Sequence, residues 1–176
     1  MKKSLFLSLL TTMMLASSNA YSNVAVVDYD VVLEKSKVWQ VMKHDIKEYA
    51  VNVQSEVMQQ QVELEKVWDE IKKARKNENE KLIALEKSFK DGRASSQEYV
   101  QSQKKKMDTA FVKARKLIKR KITNIVKRLA IKGGFEVVVN ANQIIYFNEK
   151  ISLTQKVLEI LDTEIPYIKL QFVEEK

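Results

Sequence analysis

The chain contains no cysteine, one proline, three glycines and one histidine in 176 residues. Without cysteine no disulfide can form, and a thiol nucleophile or a thiolate metal site is excluded. His44 stands four residues before Glu48, the spacing of an ordinary surface pair on a helix, and it has no partners for a metal cluster or a Ser-His-Asp arrangement. We therefore predict no catalytic residue, no metal site, no cofactor and no enzymatic activity.

The first 20 residues have the pattern of a secretory signal. Lys2 and Lys3 precede an apolar run over residues 5–15, and Ser18-Asn19-Ala20 supplies the small residues that signal peptidase requires. The run is well short of the roughly 20 residues that a membrane-spanning helix needs. We expect cleavage after Ala20 and export of a soluble protein.

Positive charge is concentrated in one part of the chain. Residues 72–130 hold 19 Lys or Arg against six Asp or Glu, whereas the 156 residues after the signal hold 29 against 23. Such a segment is typical of a surface that meets anionic partners, although a merely solvated face is the alternative. A nucleic-acid compaction protein would also fit this charge, but the export signal argues against nucleic acid as a partner.

Apolar residues at intervals of about 3.6 predict two long amphipathic helices, the first from Ile46 to Phe89 and the second from Tyr99 to Leu129. We expect residues 90–96 to form the tip between them, because they contain Gly92 and the candidate helix cap Ser96. A helix over residues 37–90 would be about 80 Å long, whereas a compact chain of this size is roughly 40 Å across. Residues 37–131 should therefore project as a helical hairpin arm, ending at Gly133-Gly134.

The remaining segments, 21–36 and 132–176, predict a small β-rich body. Residues 23–28 indicate a strand that is covered on both faces, and residues 135–139 and 144–147 indicate a β-hairpin. Thr154 is predicted to cap a short helix, and the alternation of Ile168, Leu170 and Phe172 indicates a further edge strand. Such a body has little core and open strand edges, so we expect an α+β fold that oligomerises.

Two blocks of the chain resemble the Skp/OmpH family of periplasmic chaperones. The first is Val24-Ala25-Val26-Val27-Asp28 followed by Val32-Leu33-Glu34-Lys35-Ser36, and the second runs from Gly134-Phe135-Glu136-Val137-Val138-Val139 through Ile144-Ile145-Tyr146 to Leu153-Thr154. The helical middle is similar in pattern only. The chain departs from the family at Asn140, where aspartate is common, at Ser152, which replaces an acidic residue, and in its tail from Thr163 onward.

The resemblance implies a periplasmic, ATP-independent holdase. A jellyfish-like homotrimer would hold unfolded outer-membrane β-barrel proteins in a cavity between its helical arms, and a lipopolysaccharide site is a further possibility. On this resemblance the oligomer interface contains Val24, Val26, Val137, Val139, Ile144 and Tyr146. The cations that would line or flank the client chamber are Lys72, Lys73, Arg75, Lys76, Lys87, Lys90, Arg93, Lys104, Lys105, Lys106, Lys113, Arg115, Lys116, Lys119 and Arg120. The alternative is a structural coiled-coil envelope protein or adhesin whose basic arm binds lipopolysaccharide or another polyanion.

Apolar side chains of the arm have two possible roles. We expect the aromatic residues to pack between the helices, as aromatic residues at helical spacing usually do. For the methionines, packing in the seam and an adaptable surface for clients remain equally open, because thioether chains repack easily. The aromatic residues are Trp39, Trp68, Phe89, Tyr99 and Phe111, and the methionines are Met42, Met58 and Met107.

Overall fold

A computed structural model describes residues 23–76 and 81–173, so the predicted signal segment lies outside the described residues. The elements, in chain order, are β1 (Val24–Val27), α1 (Tyr29–Lys35), α2 (Lys37–Lys76), α3 (Leu82–Gly133), β2 (Val137–Asn140) and α4 (Thr154–Glu164), with single-turn 3-10 helices at Ala141–Gln143 and Glu149–Ile151. The predicted α+β class with a long helical hairpin is confirmed.

The arm is an antiparallel pair of unequal helices. Tyr49 contacts Gln103, and further out Arg75 contacts Glu86, so partner numbers fall on α3 as they rise on α2. With 40 residues in α2 and 52 in α3, the helices are about 60 and 78 Å long. Both exceed the diameter of a compact body of this size, as the sequence predicted.

The predicted tip at residues 90–96 is wrong, because all of them lie inside α3. Helix α2 ends at Lys76, and α3 begins at Leu82 and runs antiparallel to it. Gly92 faces α2, and a Cβ placed on it would lie 2.8 Å from Leu64 Cδ2. This glycine therefore lets two helices approach closely; it does not break one.

The seam between α2 and α3 follows the predicted stripe, but it is thin. The fully buried residues of α2 lie at its two ends, up to Met42 and again at Ile71 and Ala74, and those of α3 begin only at Ala110. Between them, seam residues such as Val53, Val57 and Leu64 are half-buried. Two helices without a third layer cannot cover these side chains completely.

The body contains a two-stranded parallel sheet. Val24 of β1 pairs with Val137 of β2, and Val27 pairs with Asn140, with the whole arm as the crossover between the strands. Ala25 through Val27 are buried, which confirms the prediction that this strand is covered on both faces. On the other edge of β1, the Leu153 amide donates to the Val26 carbonyl at 2.7 Å.

The predicted hairpin of residues 135–139 and 144–147 is wrong within the described chain. The strand β2 pairs with β1, and the 3-10 turn Ala141–Gln143 then leads the chain away from the sheet. Residues 144–147 form no strand, and they leave Ile145 fully exposed and Tyr146 82% exposed. An exposed isoleucine and tyrosine side by side are unusual in a folded surface.

One hydrophobic core joins the body to the root of the arm. It contains Ala25, Val27, Val32, Leu33, Val38, Trp39, Met42, Ala114, Ile118, Ile122, Ile125, Leu153, Val157 and Leu161. The chain therefore has a larger core than three short strands would allow, because α3 and α4 contribute to it. The arm is rooted in the same core that stabilises the sheet.

Side chains from near and distant parts of the sequence cap the helices that start in or beside the body. Asp28 accepts from the Val31 amide at 2.9 Å at the start of α1, and Asp162 accepts from the Lys37 amide at 2.7 Å at the start of α2. The Thr154 hydroxyl does not cap its own helix as predicted; it accepts from the Asp28 amide at 2.9 Å. Asn140 Oδ1 accepts from the Tyr29 amide at 3.1 Å, a bond for which an aspartate oxygen would serve equally.

Helix α3 ends as the sequence predicts. Gly134 adopts φ 69° and ψ 22°, a left-handed conformation, and the following Phe135 amide donates back to the Ala130 carbonyl at 3.0 Å. A Cβ on Gly134 would meet nothing within 4 Å, so its backbone conformation alone favours glycine.

The C-terminal tail is not the predicted edge strand of the body. Residues 166–173 form no strand and run along the root of the arm, where Phe172 stacks on Tyr49. Their side chains find apolar cover on the helices, which the exposed edge of a two-stranded sheet does not offer.

Candidate functional site

The predicted cations lie on the distal end of α2 and along α3. All fifteen are exposed except Lys106, which is half-buried. Lys104 and Lys105 project about midway along α3, whereas Lys116, Lys119 and Arg120 project near the body. The structure thus distributes positive charge along the arm and does not gather it into one pocket.

Some of these cations pair locally with acidic residues. Lys72 lies 2.8 Å from Asp69, and Arg75 lies 2.5 Å from Glu86 across the two helices. The hydrogen bond from Lys72 lowers the pKa of the Asp69 carboxyl. Exposed pairs of this kind contribute little to stability, because solvent screens them. Because residues 72–130 contain 19 cations and six acidic residues, the arm keeps a large excess of positive charge.

Large apolar side chains are exposed on the same arm. They are Val51, Met58, Val62 and Trp68 of α2 and Ile83, Val100 and Val112 of α3, with exposed fractions from 38% to 79%. Of these residues, only Met58 had been considered from the sequence as a possible client contact. In the sequence, each of them is an apolar residue at a position outside the apolar stripe of its helix. Apolar and cationic groups together can hold an unfolded polypeptide without requiring a defined shape.

The aromatic residues divide between core and surface. Trp39 is buried and lies 5.6 Å from the Phe111 ring, as predicted. Near the distal end, the Trp68 ring lies 5.3 Å from Phe89, and the Arg75 guanidinium lies 5.8 Å from the Trp68 ring. Trp68 remains 38% exposed, so its packing between the helices is incomplete.

Tyr99 of α3 forms a hydrogen bond to α2 across the seam. Its hydroxyl donates to the Glu56 carboxylate, and this hydrogen bond raises the pKa of Tyr99 to about 12. This hydrogen bond between Tyr99 and Glu56 connects α3 to α2 in the middle of the arm, where no residue is fully buried. A polar seam bond there restricts how the two helices slide past each other.

The three methionines, for which packing and client contact were both open, also differ in exposure. Met42 is buried in the core at the root, Met107 is half-buried at the seam, and Met58 is exposed. Only Met58 is thus positioned to meet a partner with most of its side chain.

The predicted interface residues differ in exposure. Val24, Val137 and Tyr146 are exposed, and Val139 and Ile144 are half-buried. Val26 is 1% exposed, because its side chain is covered within the chain, so it has no surface to offer a second subunit. Ile145, which was not among the predicted interface residues, is fully exposed next to Tyr146 in the chain.

Other kinds of site find little support in residues 23–76 and 81–173. His44 forms the predicted surface pair with Glu48, at 3.7 Å. No group of three or more His, Asp or Glu side chains in these two stretches is arranged to hold a metal ion. Nor does any helix there combine the length and apolar character needed to cross a membrane.

Comparison with known proteins agrees with the two blocks that carry the resemblance. The profile of the OmpH-like outer membrane proteins matches residues 23–161. The chain therefore belongs to the OmpH-like family. None of the curated proteins compared with the chain matches it.

A solved structure has the same fold. It is the crystal structure of a Caulobacter crescentus protein, OmpH-like and proposed to be an outer membrane chaperone. The two folds agree with a TM-score of 0.79, over 86% of this chain and 90% of the other, at 14% sequence identity. At this identity the likeness concerns the fold alone.

Proposed function

We propose that the chain is a periplasmic, ATP-independent holdase chaperone that keeps unfolded outer-membrane proteins from aggregating. The observation that carries this proposal is the arm: two helices, about 60 and 78 Å long, whose middle lacks fully buried residues and exposes apolar and cationic side chains together. Such a surface suits loose contacts with a partner that has no fold. Family membership and the fold shared with the Caulobacter protein support the same role.

The proposed assembly is a homotrimer held together by the body. Val24 and Val137 belong to the small sheet, and Ile145 and Tyr146 follow it along the chain; all four side chains are exposed in the single chain. Residues 144–147 have no strand partner within the described chain, so pairing with a neighbouring subunit would cover both their backbone and these side chains. Three arms around a cavity would then surround the client.

The proposal is tested by diluting a urea-denatured barrel protein into buffer with the chain lacking residues 1–20. We expect light scattering from aggregates to fall at low chaperone ratios without nucleotide. Met58→Asp should weaken this suppression, because it places a charge at an exposed apolar position of the arm. Gln59→Asp adds the same charge at the neighbouring exposed polar residue, and it should leave the suppression unchanged.

The exposed cations favour a second candidate, a structural envelope protein that binds lipopolysaccharide or another polyanion through its arm. Such a protein would bind purified polyanion tightly and leave the aggregation of the denatured protein unchanged. That pair of results would replace the holdase proposal with this one.

A further inference from the structure

The C-terminal tail lies on the arm with a strand-like alternation. Ile168, Leu170 and Phe172 are half-buried against the helices, whereas the intervening Lys169 and Gln171 are exposed. A segment whose alternate residues face one surface is extended, and its apolar face here is turned toward the arm. The family match ends at residue 161, so this segment lies beyond the part of the chain that the family defines.

The surface beneath the tail is a shallow apolar groove. Ala110, Ala114 and Leu117 of α3 lie beneath residues 168–171, and a cleft of about 150 Å³ remains between them. The two alanines are four residues apart and therefore lie on one face of the helix, where their small side chains leave room for a second chain. Tyr49 of α2 closes the distal end: its ring stacks on Phe172 with 3.7 Å between centroids and 8° between planes.

The groove therefore fits an extended polypeptide, as its present occupant demonstrates. The tail meets it through three apolar side chains at every second position. Strands of membrane barrels have the same alternation of apolar and polar residues, because one face meets lipid and the other the lumen. An unfolded barrel protein thus contains many segments with the pattern of this tail.

We propose that this groove is a binding site for extended segments with an apolar residue at every second position, and that the tail occupies it until a client segment displaces it. The inference rests on the proposed function, for which it names one contact site and the class of segment that this site accepts. Because the tail competes, the apparent affinity for a client segment is reduced by the fraction of molecules in which the groove is filled.

The test uses a fluorescent peptide with the sequence of residues 166–173, added to the chain that ends at Lys176. Phe172→Ala removes the stacked ring from the chain's own tail and leaves Tyr49 free for the peptide. We expect this variant to bind the peptide about tenfold more tightly than the unaltered chain. Tyr167→Ala removes an aromatic ring of the same tail that is 51% exposed and does not line the cleft, and it should not alter the affinity. Equal affinity for all three proteins would overturn the proposal.

A second variant excludes loss of folding as the explanation. Tyr49→Cys with Phe172→Cys introduces the only two thiols of the chain, which a short bis-maleimide can join. Cross-linking should abolish peptide binding, and the same protein without the cross-linker should bind. If the cross-linked protein still binds the peptide, the proposal that the peptide binds in this groove is contradicted.

Aggregation assays on the same preparations separate this inference from the proposed function. A protein that suppresses aggregation, but whose Phe172→Ala variant binds the peptide no better, contradicts the groove alone. A protein that binds the peptide with the expected differences, but leaves aggregation unchanged, contradicts the holdase proposal and supports the groove.

Discussion

Ile145 offers the most direct test of the proposed assembly. Its side chain is fully exposed in the single chain and stands next to Tyr146, at a segment without a strand partner in the described residues. If subunits pair there, Ile145 becomes buried at each junction. Ile145→Asp would remove an apolar contact and place a carboxylate in the same position.

The size of the effect follows from burial. Full burial of one isoleucine stabilises by about 2 kcal/mol, so three junctions in a closed trimer contribute about 6 kcal/mol. A loss of that size lowers the trimer formation constant by about four orders of magnitude, which raises the concentration at half-assembly about a hundredfold. Burial of the new carboxylate would increase the loss further.

Light scattering coupled to size-exclusion chromatography over a dilution series measures this shift. We expect the unaltered protein to elute with the mass of three chains and Ile145→Asp to dissociate at much higher concentrations. Ile83→Asp is the matched control: the same change at an exposed isoleucine of the distal arm, which should leave the mass unchanged. An unaltered mass for Ile145→Asp at every dilution, or equal dissociation of both variants, would refute the proposed interface.

Further expectations concern the core, the helix end, the seam and the charge. Ile122→Ala should lower the free energy of unfolding in urea by about 2–5 kcal/mol, because the isoleucine is fully buried at the root of the arm. Gly134→Ala should cost about 1 kcal/mol in the same measurement, because the backbone there is left-handed. In an ultraviolet absorbance titration, the tyrosinate signal that Tyr99→Phe removes should appear near pH 12 and not near the ordinary pKa of 10.0. Because the pKa is raised in the folded chain, the Tyr99–Glu56 hydrogen bond contributes fully to folding stability below pH 10, and this contribution is lost as the pH rises through 12. Lys104→Glu combined with Lys105→Glu should slow the capture of an acidic client about tenfold at low salt, as stopped-flow fluorescence can measure.

Each of these predictions has a result that would contradict it. Gly92→Ala is the control for the substitution at the helix end, because Gly92 lies inside α3. Alanine stabilises a helix interior relative to glycine, whereas its Cβ would lie too close to Leu64 Cδ2, so we expect little net change in the free energy of unfolding. No loss of stability for Gly134→Ala would argue against the left-handed end of α3. For the paired lysine substitution, a ratio of capture rates between the unaltered chain and the variant that stays about tenfold in high salt would exclude an electrostatic cause.

The position of the hairpin turn shows where sequence patterns mislead. Gly92 and Ser96 are read as breakers when only local preference is considered, yet both occupy seam positions at which small residues suit a close helix pair. The better signal was Asn77-Glu78-Asn79-Glu80, which is polar throughout and contains two asparagines, residues that favour turns. The predicted first helix, from Ile46 to Phe89, instead runs across these four residues.

The pairing of the strands could not be deduced from the sequence for a different reason. Residues 135–139 and 144–147 are neighbours along the chain, and local preference favours a hairpin. The partner of β2 is nevertheless β1, whose residues are more than 100 positions away. The two strands meet where the arm returns to the core that it shares with α1 and α4, and no local pattern contains that information.

The candidate site was predicted in part. Fourteen of the fifteen predicted cations are exposed and Lys106 is half-buried. That these residues meet a client stays a prediction. Among the exposed apolar residues of the arm only Met58 was considered as a client contact, and the groove beneath the tail was not predicted. Whether Met58 or Val112 faces the seam depends on the rotation of one helix against the other, and a helix shows that orientation only once its partner is in place.

The amino-acid sequence by itself determined the amphipathic helices, their stop at Gly134, the buried first strand and the family, because each of these depends on periodicity, on backbone preference or on a short ordered motif. Only the tertiary structure decided where the arm turns, which strand pairs with β2 and where the tail lies. These depend on contacts between residues far apart in the chain, whose free energies are comparable to the local preferences and can outweigh them.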